Sequence, residues 1–187
     1  MPITEYLVNN AKDFKDDVAL VEINPEVEEK NRITWREYSL IEPSNTNSLR
    51  KEMTWGEFDK KANRFCNLLL SRGIKKGDRV AILLMNCLEW LPVYFGILKA
   101  GCVAVPMNFR YSSDEIQYCL DLADVEVLVF GPEFVSRMDT IAAELDFLKM
   151  MFFVGRNGPD YTEDCMRLVG FCSSSAPPVA LSEEDYA

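Results

Sequence analysis

The chain has 187 residues, of which 48% are hydrophobic and 27% are charged, as is usual for a single globular domain. Its formal net charge is −10, and the acidic residues are spread along the chain, which argues against a nucleic-acid-binding surface. The chain contains no histidine, so Ser–His and Cys–His nucleophile pairs and histidine-ligated metals are excluded.

The six cysteines contain no Cys-x-x-Cys pair, which gives no support for a zinc or redox site. Cys66, Cys87, Cys102 and Cys119 lie in apolar periodic segments and are predicted to be small core residues with free thiols. The sequence shows no signal peptide and no apolar run near the roughly 20 residues that span a bilayer. We therefore expect a cytoplasmic protein without a membrane span.

The N-terminal part is predicted to hold a short helix over residues 3–11 and a strand over Val18–Ile23. Residues 24–51 are polar and carry proline and a Ser–Asn–Thr cluster, which predicts a loop or insertion. Two similar stretches, Ile33–Tyr38 and Met53–Phe58, are predicted to form strands in a hairpin-like arrangement, with a duplicated segment as the alternative.

From Gly56 onward, apolar residues at helical spacing alternate with short apolar runs that predict buried strands. The first helix after Gly56 is expected to end at Gly73, because a left-handed C-terminal cap suits glycine. A capping-box pattern at Ser112–Glu115 predicts another helix start. The helical stripes span residues 58–69, 89–100, 116–123 and 134–145, and the predicted strands are 78–84, 102–106, 125–130 and 150–154.

This alternation predicts β-α-β units and an α/β fold, in which helices flank a parallel sheet on both faces. A strand and hairpin region precedes the sheet. Residues 1–52 are predicted to hold the N-terminal helix, the strands and the polar insertion, and residues 53–156 the βα core. Residues 157–187 are predicted to be a linker-like tail, because the periodic signal fades after Gly155.

Open parallel sheets bind ligands beyond the carboxyl ends of their strands. Those ends are predicted near Asn86, Met107–Arg110 and Gly131–Glu133. Arg110 stands beside two aromatic residues just before a helix start, and an arginine can bind a phosphate through two charged hydrogen bonds. The alternative is a surface arginine that packs along Tyr111 or pairs with Asp114.

No other segment indicates chemistry. Gly73–Gly77 is not a phosphate cradle, because its glycines lead into a strand, and Ser173–Ser175 lacks the Gly and Lys that would follow. Asp121, Asp124 and Glu126 are interpreted as solvated carboxylates. We therefore predict no catalytic residue and no metal ligand in these 187 residues.

Two segments, in this order along the chain, carry a family resemblance. Met53–Phe58, which reads Met-Thr-Trp-Gly-Glu-Phe, is similar to the first core motif of the acyl-adenylate-forming ligases. Leu98–Pro106, with its Lys-Ala-Gly and its proline, resembles the second, and Gly-Asp-Arg-Val at 77–80 lies between them. This family includes acyl-CoA synthetases, luciferases and the adenylation domains of peptide synthetases. The resemblance covers about residues 18–154 and is greatest to an acyl-CoA synthetase.

The resemblance implies the N-terminal subdomain of an ATP-dependent carboxylic acid–CoA ligase, which forms an acyl-adenylate and then a thioester. The implied substrates and cofactors are a small-molecule carboxylic acid, ATP, Mg²⁺ and coenzyme A. In this family the phosphate loop, the metal and adenine contacts and the C-terminal domain follow the region matched here. The 187 residues are therefore expected to be inactive alone, with the rest of their own polypeptide as partner.

The resemblance also gives Arg110 a role. In several CoA ligases, an arginine of an Asn-x-Arg loop after the second motif contacts the nucleotide part of CoA, and Asn108-Phe109-Arg110 matches this pattern. Arg110 is the one cofactor-binding residue that we predict. Two alternatives remain open, an adenylating ligase that loads a carrier protein and a stand-alone α/β binding module without chemistry.

Overall fold

The computed structural model describes residues 1–23, 50–183 and 185. The described helices are α1 (Ile3–Asp13), α2 (Trp55–Ser71), α3 (Trp90–Lys99), α4 (Ser113–Leu122), α5 (Val135–Ile141) and α6 (Cys165–Phe171). The described strands are β1 (Val18–Ile23), β2 (Arg50–Thr54), β3 (Arg79–Leu83), β4 (Val103–Pro106), β5 (Val127–Phe130), β6 (Met150–Phe153) and β7 (Glu163–Asp164). Single 3₁₀ turns, Pro132–Phe134 and Ala142–Glu144, flank α5.

Strands β3 to β7 form one parallel sheet in the spatial order β4-β3-β5-β6-β7. The chain passes from β3 to its neighbour β4 and then crosses back over β3 to β5. A parallel neighbour requires a crossover connection, and α3, α4 and α5 provide the three crossovers between β3 and β6. The α/β fold class is confirmed.

Helices cover both faces of this sheet. On one face Val80, Ile82 and Phe152 pack in a cluster with residues of α2, α3 and α6. On the other face Leu83 and Phe130 pack with residues of α4 and α5. Successive strand residues point to opposite faces, so a strand covered on both faces is apolar along its whole length. This explains why β5 and the part of β3 after Arg79 read as continuous apolar runs.

A separate two-stranded sheet precedes the core. Strands β1 and β2 pair antiparallel, from Val18 opposite Thr54 to Ile23 opposite Arg50. The predicted strand over Val18–Ile23 is thus confirmed, whereas the predicted hairpin-like arrangement of Ile33–Tyr38 with Met53–Phe58 stays a prediction. The repeated stretch Ile33–Tyr38 lies outside the described residues.

The prediction of a strand over Met53–Phe58 is wrong beyond Thr54. Strand β2 ends at Thr54 and α2 begins at Trp55, because Thr54 and Glu57 form a capping box. The Thr54 hydroxyl accepts the N–H of Glu57 at 3.3 Å, and the Glu57 carboxylate accepts the N–H of Thr54 at 2.9 Å. Two of the free N–H groups of the helix start are satisfied in this way, which fixes the change from strand to helix.

The predicted helix signals at Gly73 and Ser112 are confirmed. Gly73 has a φ of +78°, in the region that favours glycine, and the next N–H, of Ile74, donates to the carbonyl of Leu69 at 3.1 Å. At α4 the Ser112 hydroxyl accepts the N–H of Glu115 at 3.4 Å, while the Glu115 carboxylate accepts the N–H of Ser112 at 2.8 Å. Both helix ends are therefore set by local sequence.

We expect Ser112→Ala to lower the free energy of unfolding by about 1 kcal/mol, because the cap of α4 is lost. Hydrogen bonds from the backbone N–H and the hydroxyl of Ser112 lower the pKa of Glu115, so the part of the capping energy that comes from the Glu115 carboxylate is present at neutral pH and is lost as the pH falls through the lowered pKa. Urea unfolding at neutral and acidic pH measures both effects. Ser136→Ala, at an exposed position of α5, is the control, and equal losses in the two variants would contradict a capping role.

The strand and the helix formed by residues 163–171 were not predicted, because the sequence pattern indicates only a linker-like tail there. Glu163 and Asp164 extend the parallel sheet beside Phe152 and Phe153 of β6. Helix α6 follows at once and buries Cys165 against the core. A strand of two residues leaves no periodicity to detect, so the pattern gave no signal.

Side chains of α2 donate hydrogen bonds to backbone carbonyls at the end of α6 and in the segment that follows it. Arg64 Nη1 donates to the carbonyls of Gly170 at 2.9 Å and Cys172 at 2.8 Å. Asn67 Nδ2 donates to those of Ser173 at 2.8 Å and Ser175 at 3.1 Å. Side chains one turn apart on α2 thus fix the path of the chain through Ser173–Ser175.

All six cysteines are free. Cys66 and Cys102 are fully buried, and burial raises the pKa of each thiol to about 12, so both thiols stay protonated and unreactive at neutral pH. Cys87 and Cys119, also predicted as core residues, are only half-buried. Among the helices described, none is both long enough and apolar enough to cross a membrane.

Candidate functional site

A crevice of about 920 Å³ opens at the carboxyl ends of the central strands. Leu84, Gly131 and Val154, which directly follow β3, β5 and β6, form part of its lining. The strand order reverses between β3 and β5, and this is where open parallel sheets bind their ligands. The crevice has the size of a small-molecule site.

Charged side chains stand around this lining. Glu22 of β1 accepts the N–H of Leu88 at 2.6 Å, and its second carboxylate oxygen lies 3.8 Å from the ammonium of Lys51 on β2. These contacts fix the two-stranded sheet of β1 and β2 against the loop after β3. Arg156 and Arg167 also line the crevice and add positive charge. Glu89, Glu133 and Asp164 line the crevice as well, so four carboxylates stand beside three cations, and the arrangement can hold a small, partly apolar molecule.

Arg110 lies in the loop after β4, at the same edge of the sheet. Its side chain is exposed, and its guanidinium carbon lies 5.3 Å from the centroid of the Phe109 ring. Its backbone N–H donates to Asn108 Oδ1 at 3.0 Å, which holds the turn of the Asn-Phe-Arg motif. Within residues 1–23, 50–183 and 185, no carboxylate forms an ion pair with Arg110. Its charge is available to a ligand.

The start of α4 contributes less to an anion site than the sequence suggests. The capping box already uses the N–H groups of Ser112 and Glu115. Asp114 and Glu115 also place two negative charges in the first turn. These charges stabilise the helix dipole but repel an incoming phosphate. Arg110 is therefore the positive group of this loop on which anion binding would depend.

The predicted strand ends are only partly brought together. Asn86 and the segment Gly131–Glu133 both line the crevice, whereas Arg110 and its loop do not. Sequence reasoning missed Arg156, although it follows β6 and the same strand-end rule could have found it. It also missed Glu22, and no sequence signal links Glu22 to the loop after β3.

The lysine of the second motif lies away from this edge, inside the core. The side chain of Lys99 is 5% exposed and forms an ion pair with Asp59 of α2. Lys99 Nζ also donates to Asn63 Oδ1 at 2.6 Å, and Asn63 Nδ2 donates to Asp59 at 3.0 Å and to the carbonyl of Ser174 at 3.1 Å. The Lys-Ala-Gly motif thus joins α3, α2 and the segment after α6, and its lysine has a structural role.

No group of three or more cysteine, aspartate or glutamate side chains suited to a metal ion occurs in the part of the chain that the structure describes.

The AMP-binding enzyme family model matches residues 42–175 of this sequence. The chain belongs to the AMP-binding enzyme family. Medium/long-chain-fatty-acid–CoA/3-oxocholest-4-en-26-oate–CoA ligase of Mycolicibacterium smegmatis is 32% identical over 135 residues. That match covers 72% of this chain but only 24% of the ligase, so the chain spans about a quarter of the length of this relative.

Solved structures of AMP-binding enzymes share the fold. An anthranilate CoA ligase in complex with anthranoyl-AMP superimposes with a TM-score of 0.80 at 21% identity, covering 99% of this chain and 31% of that one. The N-terminal domain of FACL13 from Mycobacterium tuberculosis gives a TM-score of 0.75 at 24% identity, covering 99% and 40%. The parallel sheet and its flanking helices are therefore those of the N-terminal region of adenylate-forming ligases.

Proposed function

We propose that this chain is the N-terminal part of an ATP-dependent carboxylic acid–CoA ligase, which forms an acyl-adenylate and then transfers the acyl group to coenzyme A. Membership of the AMP-binding enzyme family carries this proposal. Relatives named as fatty-acid–CoA and crotonobetaine/carnitine–CoA ligases support the choice of coenzyme A as acceptor. The substrates are ATP with Mg²⁺, coenzyme A and a small-molecule carboxylic acid.

We also propose that the 187 residues alone catalyse neither half-reaction. The sequence has no Gly-rich phosphate cradle and no histidine, and it spans about a quarter of a complete relative. The purified chain should exchange no pyrophosphate into ATP in the presence of medium-chain, long-chain or aromatic acids. Exchange above the level of a buffer control would overturn this proposal and place the adenylation chemistry within these residues.

Arg110 is the residue of this chain that we propose for contact with the nucleotide part of coenzyme A. Three observations support it: its position at the carboxyl edge of the sheet, its exposure, and its lack of an ion-pair partner among the described residues. A guanidinium can bind a phosphate with two parallel charged hydrogen bonds, and such bonds contribute about 1.5–3 kcal/mol each.

In the complete ligase, Arg110→Ala is expected to raise the KM for coenzyme A by about 10- to 100-fold, as the loss of one such bond implies. Pyrophosphate exchange, which reports adenylation alone, should stay unchanged. Dephospho-CoA and pantetheine, used as acceptors, reveal which phosphate is bound, because the loss should shrink when that phosphate is absent. An unchanged KM for coenzyme A would refute the role of Arg110.

The same assay separates the remaining alternatives. A ligase that loads a carrier protein would form the adenylate but transfer nothing to coenzyme A, whereas a binding module would show neither step.

We further propose a cytoplasmic location, supported by six free thiols, because a reducing compartment keeps cysteines in this state. The partners proposed are the acid substrate and the rest of the polypeptide, without nucleic acid.

A further inference from the structure

Arg137, on helix α5, contacts the loop that carries Arg110 although the two residues are 27 positions apart. Its Nη1 atom donates one hydrogen bond to the carbonyl of Phe109 at 2.7 Å and another to the carbonyl of Tyr111 at 2.9 Å. These carbonyls lie on either side of Arg110. One nitrogen therefore bridges the peptide unit that precedes Arg110, the residue that we propose for CoA binding, and the peptide unit that follows Tyr111.

The guanidinium of Arg137 is itself held in place. Its central carbon lies 5.2 Å from the centroid of the Phe134 ring, and Phe134 is fully buried beneath it. The start of α4 also binds the backbone of Arg137, since the Ser113 hydroxyl donates to the carbonyl of Arg137 at 3.0 Å. A planar cation stacked on a fixed ring loses little freedom when it forms hydrogen bonds.

This arrangement has a consequence for the Arg110 side chain. The loop between β4 and α4 is exposed at residues 108–110, and an exposed loop without fixed carbonyls samples several conformations. Two charge-assisted hydrogen bonds to its carbonyls select one conformation before a ligand arrives, which reduces the ordering cost of binding.

We propose that Arg137 is a positioning residue for the coenzyme A site, because it holds the backbone of the Arg110 loop in the conformation that binds the ligand. The proposal rests on the proposed function of Arg110. Arg137 does not touch the ligand; it acts through the carbonyls of Phe109 and Tyr111. A mutation of Arg137 should therefore affect the same half-reaction as Arg110→Ala, by a smaller factor.

The test uses the complete ligase and four variants: Arg137→Ala, Arg137→Lys, Arg110→Ala and the double variant Arg110→Ala/Arg137→Ala. We expect Arg137→Ala to raise the KM for coenzyme A about three- to tenfold, with pyrophosphate exchange unchanged. Arg137→Lys, which keeps the charge and can reach one carbonyl, should raise the KM for coenzyme A less than Arg137→Ala does. It replaces the alanine variant in the test if that variant does not fold. Arg72→Ala is the matched control, because it removes an arginine paired with Glu163 elsewhere on the surface.

The double variant decides the mechanism. If Arg137 acts through Arg110, its replacement has no further effect on the KM for coenzyme A once Arg110 is alanine. Equal factors for Arg137→Ala in both backgrounds, or an equal rise in the KM for the acid, would show a purely structural role and overturn the inference. The two proposals fail separately: no effect of Arg110→Ala refutes the coenzyme A contact, whereas an effect of Arg110→Ala with none of Arg137→Ala refutes only the positioning role.

Discussion

Phe152→Ala is expected to lower the free energy of unfolding of the chain by about 4 kcal/mol, as is typical of a fully buried phenylalanine. Phe152 has no exposed surface, and its ring contacts that of Phe65 on α2 edge-to-face, with a centroid distance of 6.2 Å. The sheet and α2 cannot close the resulting cavity without moving whole elements. A domain of this size has a total stability of roughly 5–15 kcal/mol, so the loss is a large part of it.

The matched control is Phe171→Ala at the end of α6, where the side chain is 81% exposed. Its removal should change the stability by less than about 0.5 kcal/mol. Urea unfolding followed by tryptophan fluorescence compares the two midpoints directly. Similar midpoints for both variants would mean that Phe152 is not packed in the core as the structure shows.

Lys99→Met is expected to lower the stability by about 3 kcal/mol, because it leaves Asp59 as an unpaired and mostly buried carboxylate. The methionine keeps most of the volume of lysine, so the loss reports the charge and the hydrogen bonds more than the packing. Asn63, whose amide donates to the carbonyl of Ser174, would also lose its hydrogen bond from Lys99. The contact of Asn63 with the segment after α6 would then be weakened. Limited proteolysis should therefore cut the segment after α6 sooner than in the wild type.

The control for this prediction is Lys61→Met. Lys61 of α2 pairs at 2.5 Å with Glu89, the residue directly before α3, but the Lys61 side chain is 35% exposed. Solvent screens such a pair, and we expect a loss below about 1 kcal/mol. In the double variant Asp59→Asn/Lys99→Met the unpaired charge is gone, and much of the stability should return. A double variant no more stable than Lys99→Met would contradict this explanation.

The sequence was sufficient for the elements whose signals are local. The capping box at Ser112 and the glycine at the end of α2 fix their helix termini through contacts within a few residues, so both could be predicted. The strand β1 was predicted with its observed bounds, Val18–Ile23. The parallel sheet followed from the alternation of helices and buried strands, since such strands need helical crossovers.

The failures occurred where a distant contact decides. Met53–Phe58 is the exception: it resembles a strand, and a local signal already present in the sequence, the capping box of Thr54 and Glu57, converts its second half into a helix. Strand β7 exists because β6 offers an edge, not because two acidic residues favour extended backbone. At the candidate site, Arg110 could be singled out from its loop, but the contact of Arg137 with that loop depends on how α5 packs beside α4.

The outermost strands of the five-stranded sheet bear on how this chain behaves at high concentration. Strand β4 has four residues and ends in Pro106, which has no N–H, and β7 at the opposite side has only two residues. A second chain that adds to a sheet needs a row of free N–H and C=O groups along a strand. Both sides of this sheet offer too short a row, so the addition of a strand from a second chain to the five-stranded sheet is disfavoured.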